Sequence, residues 1–146
     1  MQVEIKIDST CEEPKIIIIT GKMTDEISAL IKRISEETPQ VISGFRNDTL
    51  EILEQSKILR IYASAGKIFA TTTGGEYILR LRLYELEERL DKNQFVRISN
   101  SEIINLREVR SFDLSFTGTI CVSLSDGTVT YVSRRYVKKI KQLLGI

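Results

Sequence analysis

Two polar segments of this chain place side chains where they could meet a polyanion. In Ser133-Arg-Arg-Tyr-Val-Lys-Lys-Ile-Lys141 the apolar pattern changes from period two to period 3.6. Ser133 can cap a helix on which Val137, Ile140 and Leu144 face a core, leaving Lys138, Lys139 and Lys141 largely on exposed sides. Arg134 and Arg135 fall in its first turn, where free backbone N–H groups and the positive dipole end add to arginine's planar fork. That combination suits phosphate and the O6/N7 edge of guanine. The second segment runs from Phe95 to Asn105. Phe95, Val96 and Ile98 read as one strand and Ile103 and Ile104 as the next, with Ser99-Asn-Ser-Glu102 as the polar reversal between them. Short hydroxyl and amide side chains at such a reversal can bond phosphate oxygens, and asparagine can pair with adenine N6 and N7. Each segment alone also has a plainer reading. The first is then a basic amphipathic helix ending a soluble domain, and the second a turn in which Asn100 and Ser101 satisfy their own backbone.

Composition narrows the chemistry. At 146 residues, 42% of them hydrophobic, the chain suits one compact domain with a small appendage. Histidine is absent, which removes imidazole from any triad, proton relay or zinc site. Cys11 and Cys121 form neither a metal-ligand spacing nor a disulfide framework; each is expected as a small buried hydrophobe in a reducing cytoplasm. No signal peptide or membrane span is read. Glu85, Glu87 and Glu88 crowd one helix as a solvated face with no second group opposite them, and Gly74-Gly75 reads as a hairpin turn. The reading is therefore of a non-enzyme with no catalytic or metal site, no cofactor and no small-molecule substrate. Net charge is only +1, but residues 1–49 hold six basic against nine acidic side chains, and beyond Asp126 every charged side chain is basic. A cationic end on a near-neutral protein can orient binding to phosphate without general stickiness.

The elements that must position these residues are mostly short strands. Val3, Ile5 and Ile7 alternate, Ile16 to Ile19 is a β-branched run, and Thr24 can cap a helix carrying Ile27, Leu30, Ile31 and Ile34, with Pro39 as its stop. This predicts a β-β-α appendage over residues 1–40, too small to close a core alone and suited to self-association. Over residues 41–146 strands are expected at 58–63, 67–72, 76–81, 95–99, 103–106, 109–115, 119–125 and 129–133. They are separated by turns at Ala65-Gly66, Gly74-Gly75, Thr117-Gly118 and Asp126-Gly127. One helix interrupts them, with Leu83, Leu86 and Leu90 on one side and a Glu85 to Arg89 pair. The fold class is mainly β (α+β), small antiparallel sheets packed with short helices.

Four stretches in this order resemble the LytTR family of bacterial DNA-binding domains: Ile58-Leu-Arg-Ile-Tyr62, Leu81 to Leu90, Phe95 to Asn105 with Val109 following, and Val132 to Ile140. The third and fourth are the most specific. The resemblance implies a domain over 41–146 that places loops, not a long recognition helix, into successive major grooves. By position it implies base contacts from Asn100 and Arg135, and phosphate contacts from Arg97, Ser99, Arg134, Lys138 and Lys139. Lys67, in the early loop Ser64-Ala-Gly-Lys67, is the third base-contact candidate. Many members carry histidine where this chain has Ser99, so a base preference that depends on imidazole is not available to this chain. The short N-terminal stretch makes the chain resemble stand-alone regulators without a receiver domain, which implies a small membrane protein as a regulatory partner. The expectation is thus a cytoplasmic, sequence-specific regulator bound to double-stranded DNA as a homodimer on promoter repeats. The competing expectation is a basic interaction module for an acidic partner or membrane surface, without DNA readout.

Overall fold

A computed structural model of the chain describes residues 1–35 and 41–146. Its backbone falls into two units, Met1–Glu37 and Thr38–Ile146. In the first, Thr24 Oγ1 accepts from the Ile27 N–H at 3.2 Å and starts helix α1, Asp25–Ser35. Asp25 and Glu26 in its first turn and Lys32 and Arg33 in its last match the helix dipole. The two strands expected ahead of it do not form: no residue before Asp25 is in a strand. A turn does form, with the Cys11 N–H on the Asp8 carbonyl at 3.1 Å and the Thr10 N–H on Asp8 Oδ1 at 2.9 Å, yet no ladder grows from it. An isolated hairpin gains stability only when an apolar face is covered, and here Val3, Ile5, Ile7, Ile16 and Ile17 are all exposed. Cys11 is exposed too, and Cys121 half-buried, so neither is the fully buried hydrophobe expected. Pro39 lies outside the described residues.

In the second unit the strands are β1 (Ile42–Arg46), β2 (Thr49–Leu53), β3 (Ile58–Ser64), β4 (Lys67–Thr72) and β5 (Gly75–Leu79). Helix α2 (Leu83–Arg89) precedes β6 (Phe95–Ser99), β7 (Glu102–Asn105), β8 (Val109–Asp113), β9 (Ile120–Leu124) and β10 (Val129–Val132), and helix α3 (Arg134–Leu144) closes the chain. The pairings are antiparallel, in a seven-stranded sheet of order β2-β1-β5-β4-β3-β7-β6 and a three-stranded sheet of order β10-β9-β8. The mainly β fold of antiparallel sheets and short helices is as expected, except that β1 and β2 extend one sheet beyond the predicted strands. Gly44 obscured β1, because glycine weakens a strand reading. Tertiary packing requires it: a Cβ there would sit 2.8 Å from Tyr77 Cβ on the neighbouring strand. The expected Glu85 to Arg89 pair is replaced by separate bonds, the Arg82 N–H on Glu85 Oε1 at 3.2 Å and Arg89 Nη1 on the Val41 carbonyl at 3.2 Å.

Alternation along β6 and β7 gives this unit two cores that share one wall. Phe95 and Ile103 face the first core with Leu83, Leu86 and Leu90 from the α2 region, while Val96, Ile98 and Ile104 face the second with Val122, Val132 and Ile140. Glu102, on the Ile104 face of β7, joins the two sheets. Its Oε1 accepts from Thr130 Oγ1 on β10 at 2.6 Å, and its Oε2 lies 3.1 Å from Arg60 Nε on β3. Burial pushes the Glu102 carboxyl up, against the lowering effects of the Thr130 bond and the Arg60 charge.

A raised folded-state pKa means that the folded protein holds the Glu102 proton more tightly than the unfolded chain does. This contribution to stability is therefore fully present below the ordinary carboxylate range and is lost as pH rises through the raised value. Denaturant unfolding across pH should show the wild type losing stability relative to Glu102→Gln over that window. A difference independent of pH would refute this account of the seam.

Candidate nucleic-acid interface

The β6–β7 reversal is held from inside. Ser99 Oγ accepts from the Ser101 N–H at 3.2 Å and lies 3.3 Å from Ser101 Oγ, while the strand register shifts between Arg97 and Ser99. Arg97 turns inward: Nε donates to the Ser99 carbonyl at 2.7 Å, Nη2 to the Asn100 carbonyl at 2.6 Å and Nη1 to Glu87 Oε1 on α2 at 3.0 Å. Its side chain is only 14% exposed. Arg97 was expected to hold phosphate, and here each of its three guanidinium nitrogens already donates to an acceptor within the chain. Asn100 at the tip is exposed, and its Oδ1 accepts from the Tyr136 hydroxyl at 3.3 Å.

That contact brings α3 to the turn. The Ser133 N–H donates to the Ile98 carbonyl at 2.9 Å and pins the helix start to β6. Ser133 is the N-cap residue, as its position predicted, but its side chain makes no capping bond; its carbonyl instead accepts from the Tyr136 N–H at 2.9 Å. Ile140 is fully buried, with Tyr136, Val137 and Leu144 packed partly around it. This fixes the roll of the helix and leaves Arg134, Arg135, Lys138 and Lys139 exposed. Among the described residues, none of these four side chains makes a hydrogen bond or an ion pair within the chain. The first turn carries no acidic residue. Two arginines at the positive end of a helix dipole are electrostatically unfavourable until an anion arrives.

The third predicted segment lies on the other flank of the same turn. The Ala63 N–H donates to the Ser101 carbonyl at 2.8 Å, tying the end of β3 to the reversal. One step further the Ser64–Lys67 pair closes the β3–β4 hairpin through Ala65 and Gly66, both at positive φ (51° and 76°). Lys67 is exposed there. The structure thus strings the Lys67 hairpin, the Asn100 turn and the start of α3 along continuous backbone contacts. Tyr136 and Glu87 were missed by sequence reasoning. Glu87 lies four residues after the core residue Leu83, so helical spacing places it beside the apolar stripe rather than on the solvated face.

The chain is similar to several known proteins. The family model of the LytTr DNA-binding domain matches residues 48–145. An uncharacterized HTH-type transcriptional regulator of Staphylococcus aureus (strain NCTC 8325 / PS 47) is 32% identical over 147 residues, covering 100% of this chain and 99% of that protein. Its counterpart in strain MRSA252 is 31% identical over the same span. Among solved structures, a LytTr DNA-binding domain from Bacillus cereus has the same fold, with a TM-score of 0.70 at 24% identity, covering 73% of this chain and 97% of that one. No helix among the described residues is long and apolar enough to cross a membrane.

Two asparagines of the Phe95 to Asn105 segment sit in opposite environments. Asn105 is fully buried, donating from Nδ2 to the Ile58 carbonyl at 2.8 Å and accepting on Oδ1 from the Arg107 N–H at 3.0 Å. Asn105→Ala leaves both partners unsatisfied and should cost about 1–3 kcal/mol in denaturant unfolding. Asn100→Ala, on the surface, should stay within about 0.5 kcal/mol. Equal losses would contradict the separation of roles.

Proposed function

This chain belongs to the LytTr DNA-binding domain family, and on that premise we propose a transcriptional regulator that reads promoter DNA with the Asn100 turn and the first turn of α3 in successive major grooves. The observation that carries this reading is the Tyr136–Asn100 contact, which sets a side chain capable of adenine recognition beside exposed, unpartnered arginines. The Asn100 amide oxygen has two lone pairs, so it can keep the Tyr136 bond while accepting from a base. In this reading Asn100, Arg135 and Lys67 meet base edges, and Ser99, Arg134, Lys138 and Lys139 meet phosphates. Among the described residues no two helices follow each other without intervening strands, so loop insertion is favoured over a helix-turn-helix. The protein would act in the cytoplasm, where the DNA is.

Two copies acting together are proposed from the first unit. Helix α1 buries none of its residues, and Ile7 ahead of it is 92% exposed. A run of apolar side chains left in water favours association with a second copy. Sedimentation at high concentration, free and on a two-site duplex, should detect dimers that Ile5→Asp or Ile17→Asp weakens. Monomers under both conditions would remove this part.

For DNA readout, Arg135→Ala should cost about 1–3 kcal/mol and relax preference at one base position. Lys139→Ala should weaken binding to all sequences alike and lower the salt slope by about one. Anisotropy titrations on specific and scrambled duplexes at several salt concentrations measure both. Sequence-blind losses from both variants would refute base reading by Arg135.

A further inference from the structure

We infer that Arg97 and Glu87 form a positioning pair that holds the Asn100 turn in its reading conformation and so sets how selectively the protein discriminates sequence. The inference rests on DNA readout through that turn. Arg97 Nε and Nη2 take the carbonyls of Ser99 and Asn100, at 2.7 and 2.6 Å. These are the peptide groups on either side of Asn100. Fixing both planes fixes the φ and ψ of Asn100, and with them the direction in which its side chain leaves the backbone.

The third donor, Nη1, is anchored 3.0 Å from Glu87 Oε1. Glu87 stands on α2, whose Leu83 and Leu86 are buried in the first core. The guanidinium therefore braces the turn against an element packed on the opposite side of the β6–β7 wall from α3. Such bracing is needed here because the register shift between Arg97 and Ser99 interrupts the regular ladder just before the reversal. A planar fork can span two carbonyls and a carboxylate at once; a lysine ammonium keeps the charge without that geometry.

The alternative is that Arg97 leaves these partners and contacts phosphate, and the two roles predict opposite signs at Glu87. Without the brace, Glu87 is a negative charge near DNA, and neutralising it should tighten binding to every duplex. With the brace, neutralising it loosens the turn and lowers discrimination.

The experiment uses the full chain and a duplex enriched by the wild type from a random-sequence pool, against a scrambled duplex of equal composition. Arg97→Lys and Glu87→Gln should each lower the selected-over-scrambled affinity ratio by about tenfold, the scale of one base contact, with the salt slope unchanged. Neither should lower the ratio further on an Asn100→Ala background, which a general loss of fold would do. Glu87 is the more exposed partner, so its variant keeps the test available if Arg97→Lys is unstable. A sequence-blind loss with a shallower salt slope for Arg97→Lys, together with unchanged or tighter binding for Glu87→Gln, would overturn the pair. If the wild type enriches no sequence at all, DNA readout itself fails, and the inference fails with it.

Discussion

The β6–β7 hairpin is buried on both faces, and the rest of the DNA-binding unit is arranged around that constraint. Phe95 and Ile103 point into one core while Val96, Ile98 and Ile104 point into the other. A one-residue slip in either strand would exchange the two sets, so register is held by packing on both sides. Helix α2 closes the first core. Helix α3 closes the second and begins on a hydrogen bond to the Ile98 carbonyl. The reversal at Asn100 is thus the tip of the most enclosed hairpin in the unit. Surface loops usually owe their mobility to sparse packing, whereas this one inherits order from two cores at once.

Several arginines are held by partners within the chain, whereas the cations proposed to meet DNA are not. Arg46 lies over the Tyr77 ring and 3.5 Å from Glu51, Arg60 lies over Tyr62 and pairs with Glu102, Arg80 lies over Phe45, and Arg110 reaches the Ser125 carbonyl. Arg97 belongs with these structural cations. Lys67, Arg134, Arg135, Lys138 and Lys139 have no such partners among the described residues and remain exposed. A net charge of +1 conceals this division. The field available to a polyanion depends on where charge is placed, and α3 carries Arg134, Arg135, Lys138, Lys139 and Lys141 with no acidic residue among them.

Burial with partial satisfaction marks the seam between the sheets. Glu102 is 7% exposed and is held by Thr130 and Arg60 from two different sheets. A buried carboxylate tolerates few alternative partners, so this contact favours one docking of the three-stranded sheet over others more than it adds net stability. It also lies at the first residue of β7, immediately after the turn that carries Asn100 and Ser101.

The strands from Ile58 onward, α2 and α3 were legible in the sequence because each repeats its apolar residues at its own period and is bounded by strong turn residues. The family-specific stretches around Asn100 and Arg135 were legible as well. Where local signals and long-range packing diverge, the sequence misled. Val3 to Ile19 has strand character, but a ladder needs a covered face, and the exposure of those side chains shows none. β1 was hidden by Gly44, whose missing side chain is required by a neighbouring strand. Arg97 was expected at a phosphate by resemblance; two of its acceptors, the Ser99 and Asn100 carbonyls, come into reach only when the hairpin bends, and the third only when α2 packs. By itself, then, the sequence determined the element types from Ile58 onward and marked the two polar segments that are proposed to meet DNA. Tertiary structure alone decided that Tyr136 reaches Asn100 and which arginine is free, since hydrogen-bond partners distant in the chain are set by packing, which no local period records.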